Sequence, residues 1–344
     1  MGFKIGSNTT IYSSKKGSFN DLNLDPITEA TLNQLGSSAL VGDVAYCSDC
    51  NSGKGDIVVW NGSSWVSGIV SPPSGSELYS LQISQFQGIT YQWTCPANVY
   101  SVCVVCVGPG SSAYKDGTTA QRAGGNGGGL GWKNNIPVTP GNSYSVRVGG
   151  VQGQNRDSYF ISNQTVMGGA GGFSFQTQVG GGYVGDGGGN GGTGGSSSWP
   201  GGGGAGGYSG NGGQGAQGAS SANNLAGSGG SSGAGGAGGG GAGWYSGGGG
   251  GVGVFGEGPS GAGGQGTNST TFQQRGGKGG SGGINAGYRG PSPTTPLSEP
   301  IIGGAYGGGG GIAQISGSTS GGQGAQGAVR IIWGPGRSFP NNAD

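Results

Sequence analysis

The residues of this 344-residue chain most able to do chemistry are five cysteines and a few scattered acids, and their spacing argues against most chemistry. Cys47 and Cys50 form a C-x-x-C, a spacing that can serve half a zinc site or a redox pair. The chain has no histidine, and the next thiol, Cys95, is far away in sequence. An odd cysteine count, with no apolar leader in MGFKIGSNTT, also argues against a disulfide framework. Cys47 and Cys50 are therefore expected to be small residues in a turn. Cys103 and Cys106 lie in SVCVVCV, where the period of a strand puts them on opposite faces as small core residues. Without histidine no Ser–His or Cys–His nucleophile can be assembled. Asp116, Asp157, Asp186, Glu257 and Glu299 share no motif that would pair two carboxylates as in a glycosidase. Matches to G-x-G-x-x-G abound, but among 95 glycines they carry no information, and G-x-x-x-x-G-K-[ST] is absent. The expectation is a protein that is not an enzyme, with no catalytic residue, cofactor or metal site.

Binding is the better prospect. Trp199, Tyr208, Trp244, Tyr245, Phe255, Tyr288 with Arg289, and Tyr306 interrupt the stretch from about Gly180 to Gly327, mostly between glycine runs. Large amphipathic side chains in loops are typical interface anchors; the competing expectation is that they fold back and cap the ends of the runs. Between them the non-glycine residues recur every third position: Asn190, Thr193 and Ser196; Ala205, Tyr208, Asn211, Gln214 and Gln217; Arg275, Lys278, Ser281 and Ile284. That period fits neither an α-helix nor a strand but does match a polyproline-II turn, which has no internal hydrogen bonds. Each third side chain would lie along one edge, leaving two bare edges through which neighbouring helices could bond backbone to backbone. The alternative is a flexible Gly/Ser linker; bulky interruptions favour order, and collagen fails because it needs one glycine per triplet and abundant proline.

The elements that would position these turns lie at the two ends of the chain. Residues 1–70 hold a short helix, with Asp25 as its cap, Pro26 first and Gly36 as its stop. A β-meander follows: GDVAYC, DIVVW and SSWV, with Asn61-Gly62 as a tight hairpin turn. Residues 71–77 (SPPSGSE) are a linker by composition. Residues 78–334 form a second domain and 335–344 a tail. In the second domain Ile89–Trp93, Ser101–Val107, Trp132–Thr139, Ser143–Val148, Ser158–Ile161, Phe173–Val179 and Ala328–Trp333 read as strands. The wholly apolar Ser101–Val107 suits burial on both faces, and Pro140-Gly141 suits a type II turn closing a hairpin. The expected fold class is all-β: a small N-terminal meander, then a β-sandwich closed by its last strand, with the glycine-rich polyproline-II-like region as one long insertion. A net charge of +1 with 8% charged residues argues against nucleic acid as a partner, and no run is long and apolar enough to insert in a membrane.

In order, YQWTCPANVYSVCVVCVGPG (Tyr91–Gly110), GGGLGWKNNIPVTPGNSYSVRVGG (Gly127–Gly150) and GAVRIIWG (Gly327–Gly334) resemble the glycine-rich domain of many bacteriophage tail-fibre and virion proteins. The likeness spans roughly residues 78–334; cysteine in the first strand departs from it. GDIVVWNGSSWV (Gly55–Val66) resembles the short meanders near the attachment ends of phage fibres, and there is a looser likeness to tail-tip adhesins built on polyglycine helices. The resemblance implies a virion protein on the tail or another surface appendage, mounted on other virion proteins through its N-terminal region. A homo-oligomer, first of all a trimer, is the expected assembly. The likeness to adhesins implies contact with a host surface receptor through loops between glycine runs. Elimination of the buried strands and bare glycine runs leaves the turns carrying Trp199, Tyr208, Trp244, Tyr245, Phe255, Tyr288 and Arg289 as the expected contacts. A non-receptor virion component, and a glycine-rich structural or ice-binding protein, stay open as alternatives.

Overall fold

Ser101–Val107 sends its side chains alternately into two separate cores. Val102, Val104 and Cys106 enter one; Cys103, Val105 and Val107 enter the other. A strand buried on both faces needs a layer on each side, and here the two layers are of different kinds.

The computed structural model describes residues 2–5, 9–12, 26–35, 44–50, 56–60, 63–67, 73–82, 84–115, 122–173, 178–196, 199–218, 236–242, 246–264, 277–284, 286, 302–315 and 318–343. The chain divides into two units, Met1–Pro72 and Pro73–Asp344.

The first unit contains β1 (Gly2–Ile5), β2 (Thr9–Tyr12), β3 (Pro26–Ile27), α1 (Glu29–Leu35), β4 (Val44–Cys47), β5 (Asp56–Trp60) and β6 (Trp65–Ser67). The expected meander is present as β4-β5-β6, and Trp60 faces Trp65 across it with ring centroids 5.6 Å apart. The helix starts later than its sequence suggested. Pro26 and Ile27 pair in parallel beside Tyr46 and Cys47, where a residue lacking an N–H is tolerated at a sheet edge. Thr28 is the cap instead: its Oγ1 accepts from the Thr31 N–H at 3.3 Å, and its carbonyl accepts from the Leu32 N–H at 3.0 Å. Asp25 and Gly36 lie outside the described residues. Leu32, Ala45, Cys47 and Val58 form the small core, and the Trp65 indole donates to the Leu32 carbonyl at 2.8 Å.

The second unit contains β7 (Gly75–Ser80), β8 (Ile89–Thr94), β9 (Ser101–Val107), β10 (Tyr114–Lys115), β11 (Arg122–Ala123), β12 (Leu130–Pro137) and β13 (Ser143–Val148). These are followed by β14 (Ser158–Phe160), β15 (Val166–Gly168), β16 (Tyr183–Val184), β17 (Gly187–Gly189), β18 (Ile312–Ile315), β19 (Ser318–Gly321) and β20 (Ala328–Trp333). One antiparallel sheet has the order β17-β12-β9-β20-β7, the other β16-β15-β14-β13-β8. The fold is therefore all-β, and the last strand, β20, inserts between β9 and β7. Between the sheets Trp93 sits with its ring centroid 5.8 Å from Phe160, 5.7 Å from Trp333 and 6.1 Å from Tyr144. Val104, Val146, Val329 and Ile331 complete this core.

Four expectations are corrected. Pro140-Gly141 does form the type II turn, with Gly141 at φ +81° and the Asn142 N–H bonded to the Thr139 carbonyl at 3.1 Å. It does not close a hairpin, because β12 and β13 belong to different sheets. Val138 is bonded to Tyr100, whereas Gly141 and Asn142 are both bonded to Cys95, so each arm is drawn to a different partner. The linker ends sooner than composition suggested, since Gly75–Glu77 pair with Ile331–Trp333. The expected tail, 335–344, is packed over its described residues, 335–343: Phe339 and Ala343 are buried against the outer face of β9 and β20. Finally, Phe173, Gln178 and Val179 are not in a strand, and the residues between them at 174–177 lie outside the described set.

The layer on that outer face consists of glycine runs. Run 201–207 is buried along its whole length. Its N–H groups at Gly201, Gly204 and Gly207 donate to Ala216, Gly213 and Gly210. Those at Gly202 and Ala205 donate to Gly247 and Gly250, and those at Gly203 and Gly206 to Gly125 and Gly128. Its carbonyls accept from Gly195 and Gly192, from Gly240 and Ala237, and at Gly203 from Gly309. Successive residues thus face successive neighbours, and each direction recurs every third residue, the period read in the sequence. Close approach demands glycine here: a Cβ on Gly206 would fall on the Gly189 carbonyl, and one on Gly203 on the Gly192 carbonyl. Along run 190–196 the third positions Asn190, Thr193 and Ser196 are exposed or half-buried while the glycine pairs between them are buried. Asn211, Gln214 and Gln217 repeat this on the adjacent run. Side-chain oxygens of Asn211 and Gln217 accept the outward N–H groups of Asn190 and Ser196, at 2.9 and 3.0 Å. The bundle edge is so satisfied without another run. Ala205 and Ala237, at the same spacing, are instead buried because their runs are enclosed.

Candidate interaction turns

A run must turn where its glycines end, and the direction of the runs decides which turns share a surface. Gly192 and Gly195 bond Gly204 and Gly201, so runs 190–196 and 201–207 are antiparallel. The turn at Trp199 therefore lies at one end of the bundle and the turn at Tyr208 at the other, about 20 Å apart at the ~3.1 Å rise of an extended threefold helix.

At the first end Trp199 is half-buried with φ +55°, and the Arg122 guanidinium lies 3.9 Å from its ring centroid. Arg122 itself is buried, which holds the indole from beneath. Gly240 and Gly247, flanking the connection that contains Trp244 and Tyr245, both bond Gly202, close to the Trp199 end. Trp244, Tyr245, Tyr288 and Arg289 themselves lie outside the described residues.

At the opposite end the expectation for Tyr208 is corrected. It is fully buried, its ring 6.0 Å from Phe339 and its carbonyl accepting from the Trp132 indole at 2.8 Å. Its hydroxyl accepts from the Gly256 N–H at 3.1 Å. It caps a run end and joins it to the sandwich, the role left open as the competing reading. Tyr306 is likewise packed against this core. Phe255, the residue just before Gly256, is 59% exposed. Beneath it lies Arg330, buried in the middle of β20, with its guanidinium 4.3 Å from the ring centroid and one N–H on the Val254 carbonyl at 3.3 Å.

Among the described residues, Trp199 and Phe255 thus do not share a patch, because runs 190–196 and 201–207 are antiparallel and their turns lie at opposite ends. A third aromatic shares the same arrangement and was missed. Phe173 is 45% exposed with the Arg156 guanidinium 3.6 Å from its centroid. Burial pushes Arg156 down to about 10, with Asp157 opposing, so the guanidinium is charged at neutral pH. Each cation–π contact of this kind contributes on the order of 0.5–2 kcal/mol. Arg330 within AVRIIW and Arg122 before a glycine run were the available signal, since a guanidinium in such surroundings calls for a partner; Arg156, between Asn155 and Asp157, offered none. Compared with known proteins, the chain matches no family model and no curated sequence.

Proposed function

We propose that this chain is a bacteriophage tail-fibre or adhesin protein that binds a host surface receptor through turns at the ends of its glycine runs. The phage assignment rests on the ordered strand motifs of residues 78–334 and on the N-terminal meander. The observation that carries the binding role is the presentation of Trp199 and Phe255. Phe255 is exposed and Trp199 half-buried, each with one face on a fixed guanidinium, on a scaffold that cannot flex without breaking its backbone bonds. Anchors ordered in advance lose little freedom on binding. Residues 1–70 attach the protein to other virion proteins, and the assembled form is a homotrimer. Charge is nearly balanced, so binding depends weakly on salt.

The test is host adsorption by particles carrying Phe255→Ala, Trp199→Ala, or Trp244→Ala with Tyr245→Ala. Loss of about 2 kcal/mol or more of binding in at least one is expected of a hot spot. If all three assemble normally and adsorb at the wild-type rate, the turns are not the receptor site, and a virion component that binds only other virion proteins becomes the better reading. Removal of residues 1–72 should leave a soluble second unit that no longer enters particles; normal incorporation would refute the attachment role.

A further inference from the structure

Cys47 and Cys50 are joined by a disulfide, with Cα atoms 5.4 Å apart, which corrects the expectation of two unlinked small residues in a turn. The turn that joins them carries more than a staple needs. The Cys50 N–H points at the Cys47 sulfur, 3.2 Å away, where it would stabilise a thiolate. Asp49 places its Oδ1 3.4 Å from the same sulfur, and that oxygen is fixed by the Glu29 N–H at 2.6 Å, in the first turn of α1. The ligand atoms of Cys47, Asp49 and Cys50 all lie within 4.8 Å of one another. Cys47 is buried at the end of β4, whereas Cys50 is half-buried and Asp49 exposed, so one side of the group is open to solvent.

We propose that, on reduction, this turn is a binding site for a thiophilic divalent cation of the zinc type, held by the Cys47 and Cys50 thiolates and the Asp49 carboxylate. A fourth position is left to water or to a donor from a partner. Two thiolates and a carboxylate within this span suit a tetrahedral d¹⁰ ion, and the backbone N–H on Cys47 and the pinned carboxylate are the outer contacts that orient such ligands. The switch is chemically balanced. A thiolate of an external dithiol attacks Cys50 Sγ, the more accessible sulfur; the Sγ–Sγ bond breaks and Cys47 leaves as thiolate. The reagent's second thiolate then attacks its own sulfur in the mixed disulfide and releases Cys50. The protein disulfide gains two electrons, the reagent loses two and becomes a disulfide, and the two freed thiolates take the cation.

The experiment uses the full chain, reduced with dithiothreitol, desalted without oxygen and titrated with Co²⁺. The reduced chain should develop thiolate-to-cobalt charge-transfer absorption that Zn²⁺ abolishes, and the oxidised chain should not. Cys50→Ser should eliminate the signal, and Asp49→Asn should weaken the apparent affinity at least about ten-fold. No absorption in the reduced wild type would overturn the proposal, as would undiminished absorption in Cys50→Ser, since the signal would then come from Cys95, Cys103 or Cys106. A second readout does not depend on any variant folding: Zn²⁺ should slow iodoacetamide labelling of Cys47 and Cys50 in the reduced wild type. Equal labelling with and without Zn²⁺ would count equally against it.

Discussion

On one face of β9 and β20, Val104 and Ile331 meet Trp93 and Phe160 from a second sheet; on the other, beyond Val105 and Ile332, the covering runs are mostly glycine, with Ala205, Ala237, Val252 and Val254 buried among them. Both layers exclude water, but by different means. Between the sheets the gain is apolar area, about 1.5–3 kcal/mol for each large side chain fully buried. In the glycine layer backbone groups are bonded in several directions, run to run, and the methyl groups of Ala205 and Ala237 are among the few side chains enclosed. Ordering glycine is entropically costly, so such a layer holds only where nearly every N–H and C=O finds a partner. A side-chain core tolerates small losses of volume; a backbone core has no side chains that can relax.

That difference can be broken with one methyl group. Gly206→Ala adds a Cβ where the Gly189 carbonyl sits and must push Gly206 away from that neighbouring run. It should destabilise by about 3 kcal/mol or more, beyond ordinary overpacking because only backbone is in the way. Ile331→Val removes one methyl from the sandwich and should lose about 1 kcal/mol. Denaturant midpoints for the pair measure both; equal effects would mean that the two layers pack alike. Gly191→Val should behave like Gly206→Ala, because its Cβ would meet the Gly127 carbonyl.

How much of this was legible follows from the same physics. Period two and period three are local, so the strands around Ser101–Val107 and Ala328–Trp333 and the threefold bonding could be read directly. Where a turn sends the chain is not local. Thr139–Asn142 has the right turn type, yet its arms join different sheets because their bonding partners, Tyr100 and Cys95, lie far back in the sequence. Enclosure is equally invisible: Tyr208 and Asn211 have the same spacing and flanking glycines, but one caps an inner run and the other edges an outer one. The disulfide was missed because a C-x-x-C reads the same whether oxidised, metal-bound or idle.

A smaller effect is a dependence of stability on pH. Burial pushes the Cys95, Cys103 and Cys106 thiols up, Cys106 most of all. On unfolding these thiols ionise around their ordinary value of 9.0, while in the folded sandwich they stay protonated. Their contribution is therefore complete below about pH 9 and is lost as the pH rises from there toward the folded values. Melting temperatures between pH 7 and 10 should decline at the top of that range, and Cys106→Ala should flatten the decline. An unchanged slope would place the titration elsewhere. The smallest effect expected is that of Thr193→Val, on an outer edge of the bundle, within about 0.5 kcal/mol of wild type.

The most direct measurement is amide hydrogen exchange resolved along the second unit. If the glycine layer is bonded run to run, the amides of Gly201–Gly207 and Gly124–Gly128 should be protected by several orders of magnitude, close to those of β9 and β20, because they open only when the layer opens. Exchange of these glycines at the rate of an unstructured chain, with β9 and β20 still protected, would contradict the account.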